Sequence, residues 1–145
     1  MMSEIREYQI MFPDISSSTL EVIKHTVTEQ GLWRVGKEEG FDLIRDMYGK
    51  ISSVYGFPTP SLIEDTYEYY FISGERIGLP KVSLVSSLHE YRHHMQKHGR
   101  LRFRDVEVDA RGWSISAFNL ALPEDFDSAW SRGLIWYLPP YPGGS

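Results

Sequence analysis

The chain has no cysteine. No disulfide framework can hold it together, and any metal must be bound by histidine and carboxylate groups. The same absence removes the main compositional argument for secretion. No stretch approaches the roughly 20 apolar residues that a membrane-spanning helix needs. The opening segment MMSEIREYQIMF carries acidic residues and lacks the apolar run of a signal peptide. A cytoplasmic protein without a membrane partner is therefore expected. An excess of positive charge is missing too. Fifteen Lys and Arg against 20 Asp and Glu leave a net charge of −5, which argues against general nucleic-acid affinity.

Internal repeats, low-complexity stretches and interdomain linkers are also absent, so residues 1–145 are expected to form a single domain. The apolar fraction of 41% and aromatic fraction of 14% suffice for a modest core at this length. Positive charge is concentrated locally: Arg92, Lys97, Arg100, Arg102 and Arg104 lie close together, with His94 and His98 among them. A solvated helix face accounts for such a run. The sharper reading is a basic rim that attracts acidic peptides or nucleic acid.

The hydrophobic pattern predicts an α+β order, with residues 1–60 helical and the sheet and metal-binding helices in 61–123. Ser18-Thr19-Leu20-Glu21 has the form of a capping box and predicts a helix that closes near Gly31. Phe41, Ile44, Tyr48, Ile51 and Tyr55 recur at spacings of three and four, predicting a second helix over about Glu38 to Tyr55. Ser61 to Glu64, Glu68 to Ser73 and Glu75 to Leu79 read as short strands in an antiparallel meander, turning at Ser73-Gly74-Glu75. Pro80 suits the start of a helix from about Lys81 to Lys97, for which Gly99 is a C-cap. Helices over about Val106 to Leu120 and Pro123 to Arg132 follow. The tail from Trp136, with three Pro and two Gly, should be irregular.

Within the third of these helices stands His89-Glu90-Tyr91-Arg92-His93, which has the form H-E-x-x-H. Residues four apart share a helix face, so both imidazoles can reach one metal ion. Glu90 then lies close enough to act on a water at that ion, the arrangement of a zinc hydrolase with a Glu general base. A catalytic zinc takes a third protein ligand. Five residues beyond His93, His98 points about 140° off the ligand face and is a poor candidate. Glu107 and Asp109 on the next helix are better, and only one of them can face the metal. Ala110 is small enough to let the two helices approach closely. Taken alone, Glu107 also stands four residues before Arg111, the spacing of an ordinary surface ion pair.

The run Glu107-Val108-Asp109-Ala110-Arg111-Gly112-Trp113-Ser114, with Leu122-Pro123 beyond it, resembles the E-x-x-A-N-x-F-A…L-x-P stretch that follows H-E-x-x-H in ImmA/IrrE-like zinc peptidases. It is similar as well to the E-x-x-A-D of HtpX-like membrane peptidases. The resemblance covers about Glu68 to Pro123. Arg111 stands where those families carry Asn or Asp, and the connection from His93 to Glu107 is short. The resemblance implies a compact gluzincin with a minimal zincin-like fold. It implies Zn2+ as cofactor, with His89, His93 and Glu107 as metal ligands, Glu90 as catalytic base, and a protein or peptide, often a regulator, as substrate.

On this reading the segment Glu75 to Leu79 is the edge on which an extended peptide would dock. Tyr67, Tyr69, Tyr70 and Phe71 belong to core and sheet, with a tyrosine of the run as a candidate for the cleft. Tyr137 or Tyr141 can offer an O–H to an oxyanion, and the tail can fold over the cleft and keep the enzyme latent. His94 and His98 read as a partly exposed pair in preference to a second metal site, and His25 as a packing or surface residue. The competing function is a non-catalytic regulatory or binding module with structural zinc or a decayed site, using the basic cluster on nucleic acid or an acidic partner.

Overall fold

Three consecutive serines offer starts for the first helix, and the one used is Ser16. A computed structural model of the chain describes residues 12–99 and 105–135. The tail beyond Ile135, with Tyr137 and Tyr141, and the cations Arg100, Arg102 and Arg104 lie outside the described residues. Ser16 is extended (φ −84°, ψ 159°), and its hydroxyl accepts from the Thr19 N–H, capping α1 (Ser17–Lys24). The expected box on Ser18 and Glu21 is displaced by a tertiary contact. Thr19 is fully buried, its Oγ1 donates to the Tyr55 hydroxyl at 2.8 Å, and Tyr55 donates to the Asp14 carbonyl. That chain of hydrogen bonds sets where the helix begins. The helix continues as one π turn, His25–Glu29, in which Gln30 N–H reaches back to the His25 carbonyl. It ends at Gly31 with φ +74°, where the sequence places its close.

Helix α2 (Lys37–Tyr55) buries Phe41, Ile44, Tyr48 and Ile51 of the predicted stripe and Met47 besides, leaves Tyr55 half-buried, and stops at Gly56 in the left-handed region. Two glycines inside α2 give opposite expectations. A Cβ on Gly40 would lie 2.7 Å from Val82 Cγ2, whereas one on Gly49 meets nothing. Alanine favours a helix interior over glycine by about 1 kcal/mol, and overpacking costs about 1–3 kcal/mol. Gly49→Ala should therefore raise the melting temperature and Gly40→Ala lower it. Equal shifts in thermal melts would show that Val82 gives way freely.

The sheet is mixed, which corrects the antiparallel meander. Strands β1 (Ser61–Glu64), β2 (Tyr69–Phe71) and β3 (Arg76–Leu79) lie in the order β1-β3-β2. β1 runs parallel to β3 with Ser61 opposite Arg76, and β2 runs antiparallel with Tyr70 opposite Ile77. The segment after β1 passes over the end of β3, where Asp65 N–H donates to the Leu79 carbonyl. Gly78 makes room for the Tyr69 ring, which a Cβ there would strike at 2.2 Å. Because β3 is hydrogen-bonded on both sides, the segment Glu75 to Leu79 is not the free edge the sequence suggests. The free edges belong to β1 and β2.

Helix α3 (Leu84–His98) begins three residues later than expected, capped by the extended Ser83, whose hydroxyl accepts from Ser86 N–H. Two hydrogen bonds fasten α3 to α2: Tyr48 O–H donates to the Ser87 carbonyl, and Ser52 Oγ meets the Tyr91 hydroxyl, each at 2.8 Å. Gly99 caps the helix in a right-handed conformation (φ −78°). Helix α4 (Val106–Ala121) is capped by Asp105, which accepts from the N–H groups of Glu107 and Val108. It lies along α3 and buries Trp113, and α5 (Pro123–Ser131) closes the core with Phe126. Among the described residues, five α-helices and a small sheet make this an α+β fold. Among the described residues no helix is long and apolar enough to cross a membrane.

Candidate metal centre

The i,i+4 spacing on α3 brings His89 and His93 side by side, with ring centroids 5.1 Å apart. The first turn of α4 supplies the third group. Glu107 Oε1 lies 2.6 Å from His93 Nε2, and its Oε2 lies 3.2 Å from His89 Nε2. The three ligating atoms all lie within 4.8 Å of one another. A tetrahedral zinc with bonds of about 2.0–2.1 Å needs its ligand atoms roughly 3.3 Å apart, so this donor set fits such an ion. The imidazoles are nearly buried, while the Glu107 side chain is 52% exposed at the rim. Burial lowers the His89 pKa, helped by the neighbouring His93 and opposed by Glu107. A neutral imidazole keeps the lone pair that a metal requires.

Glu90 lies behind this trio, 6% exposed, with Oε2 4.0 Å from His89 Nε2. Burial, then the Glu68 and Glu107 carboxylates, push its pKa up to about 8. A dication beside it would act in the opposite sense and favour the carboxylate.

Two features of the centre are not legible in the motif. Gln96, one turn after His93, orients it. The Gln96 amide nitrogen donates to the Val106 carbonyl and to Asp109 Oδ2, each at 2.9 Å. Its Oε1 is then the acceptor for His93 Nδ1, 2.8 Å away, which turns His93 Nε2 towards Glu107. Only the i,i+3 spacing from His93 hints at this role. The second feature is a buried ion pair. Arg92 is 3% exposed and grips Asp109 with two nitrogens, Nε to Oδ2 at 2.7 Å and Nη2 to Oδ1 at 3.2 Å. Its Nη1 reaches Asp14 Oδ2 at 2.5 Å, and its guanidinium lies over the Trp113 ring.

This arrangement separates the two third-ligand candidates. Glu107 meets the imidazoles, and Asp109 is turned inwards to Arg92. Arg92 accordingly leaves the basic rim, because its charge is spent inside the protein. Lys97, the other described cation of that cluster, donates to the Ile72 carbonyl at 2.8 Å and lies 3.7 Å from Glu75. His94 departs from the expected partly exposed pair, while His98 stays partly exposed. His94 is fully buried, and His98 contacts Glu75. His25 is a surface residue paired with Glu29.

An open groove of about 520 Å³ runs past the centre between β2 and the two helices, lined by Tyr69, Tyr70, Glu90, His93 and Glu107 among others. Two tyrosines of the aromatic run thus border it, while Tyr67 is 75% exposed. Glu68 stands on the groove wall, held by Ser86 Oγ at 2.8 Å. No family model matches the chain, and no curated protein or solved structure matches it either.

Proposed function

We propose that the protein is a zinc-dependent peptidase of gluzincin type, with His89, His93 and Glu107 holding the metal and Glu90 as general base. The observation that carries the reading is the convergence of those three groups beside a buried carboxylate on the wall of an open groove. When bound, zinc supplies Lewis acidity, polarising a scissile carbonyl and making water acidic enough to lose a proton near neutral pH. Glu90 accepts that proton and returns it to the leaving amine, so one water is consumed and the amide bond becomes an acid and an amine. Gln96 keeps His93 in the tautomer whose Nε2 can ligate. Asp105 fixes the first turn of α4 and so the reach of Glu107. The free edge of β2 borders the groove, and it replaces β3 as the edge on which an extended substrate peptide pairs. A peptide segment of a regulatory protein is a substrate of the right class, by resemblance to the ImmA/IrrE-like peptidases.

Elemental analysis of the purified chain tests the reading. Glu107→Ala should lose most of the zinc bound at this site. Gln96→Leu should keep it but weaken affinity about 10- to 100-fold in competition with a chromophoric chelator. A folded chain that takes up no zinc after reconstitution would sink the proposal.

A further inference from the structure

The helix that carries His89 and His93 carries a second pair at the same spacing, His94 and His98, turned about 140° round its axis. These two face the β2–β3 turn, where Glu75 meets them. We propose that Glu75, His94 and His98 form a second divalent-cation site, taking a borderline-soft ion such as Zn2+.

The donor atoms of the three residues all lie within 4.8 Å of one another. His94 Nδ1 is 3.9 Å from Glu75 Oε1, and His98 Nε2 touches the same oxygen. The His94 and His98 ring centroids are 4.6 Å apart. His94 is set up as a ligand by its other nitrogen. Nε2 lies 2.6 Å from the Pro58 carbonyl, which can only accept, so Nε2 carries the proton and Nδ1 presents its lone pair. A Tyr70 hydroxyl fills that lone pair at 2.8 Å and is the group an ion would displace. The fourth position is left to water.

A plain Glu75–His98 ion pair explains less. It leaves out a fully buried His94 whose Nδ1, holding only the Tyr70 hydroxyl, stands 3.9 Å from the same carboxylate oxygen. Nor does it explain the backbone of Glu75, the one described non-glycine residue with positive φ, at +50°. Glycine or asparagine adopts that conformation more readily. Glutamate there is chosen for its side chain, which the left-handed turn directs at α3. Lys97 sits 3.7 Å from the other oxygen, Oε2, leaving Oε1 to the histidines. Glu75 and His98 are only partly buried, so an ion can enter from solvent. Once bound, it would tie the β2–β3 turn and the last turn of α3 together.

The test is a calorimetric and absorption titration of Co2+ or Zn2+ into the full chain and its variants. His89→Ala/His93→Ala should still bind one equivalent, with the visible bands of tetrahedral Co2+. That equivalent should weaken at least tenfold when Glu75→Gln or His98→Ala is added. Its melting temperature should rise with ion concentration. If the double variant keeps its native circular dichroism and binds nothing, the second site is overturned while the first stands. If it binds one equivalent that neither Glu75→Gln nor His98→Ala weakens, the assignment of ligands is overturned. One equivalent in the wild type that survives His89→Ala/His93→Ala and is lost in His98→Ala would instead establish this site and remove the first. Should the double variant fail to fold, two equivalents in the wild type against one in His98→Ala supports the site, and no difference refutes it.

Discussion

Glu90→Gln should lower the rate of peptide hydrolysis about 100- to 10,000-fold, the range general-base catalysis contributes, while leaving zinc content unchanged. The amide has the shape of the carboxylate but cannot take a proton from water. Glu90 is not among the three converging ligand groups; its Oε2 lies 4.0 Å from His89 Nε2. Metal binding and catalysis should therefore separate cleanly in this one variant. Zinc content by elemental analysis and turnover of an unfolded protein substrate, measured on one preparation, decide the matter. Full activity in Glu90→Gln would mean that another group takes the proton. Loss of zinc together with activity would mean that Glu90 is a ligand.

The second large effect is on stability. Asp109→Ala should destabilise the protein by about 3–5 kcal/mol, because the buried Arg92 guanidinium loses its two-nitrogen grip on a buried carboxylate. In a domain of this size that amounts to a fall of roughly 10–20 °C in melting temperature. Gln96 loses an acceptor at the same time, so its hold on His93 loosens. Zinc lost from Asp109→Ala would thus report a disturbed scaffold and not a missing ligand. Compared with the metal-free wild type, Glu107→Ala removes a half-exposed side chain and should melt at nearly the same temperature. Replacing Arg92 and Asp109 together by apolar residues of similar volume should recover most of the loss, since no buried charge is then stranded. Thermal melts of the three variants test this. A change of less than about 1 kcal/mol in Asp109→Ala would show that water reaches Arg92 and that the pair behaves as a surface bridge.

Much of the helical framework was legible because its signals are local. The stripe from Phe41 to Ile51, the stop at Gly56 and the start of α5 at Pro123 each depend on residues within a few turns. The His89–His93 pair is legible for the same reason, and Glu107 through the resemblance of the segment after it. Strand pairing was not. Nothing in Ser61 to Glu64 says that it lies beside β3 and parallel to it, because that depends on the chain crossing the sheet end and on Tyr69 covering Gly78. Arg92 looked like a surface cation because its partners are 17 and 78 residues away. Burial of His94 was hidden likewise, since its contacts, Pro58 and Tyr70, come from a loop and a strand. Choosing Ser16 over Ser18 as the first cap rests on a hydrogen bond from Thr19 to Tyr55, 36 residues on.

The latch from Arg92 to Asp14 also bears on the order in which the molecule comes together. Glu107 follows His89 by 18 residues, whereas 78 separate Asp14 from Arg92. Loop-closure entropy grows as about (3/2)RT ln n, so drawing Asp14 in costs about 1.3 kcal/mol more than bringing the two ligands together. The α3–α4 hairpin can thus assemble on short-range contacts with its three ligating groups already adjacent. The amino-terminal helix is the piece for which chain entropy delays docking longest, and its arrival seals the guanidinium in place.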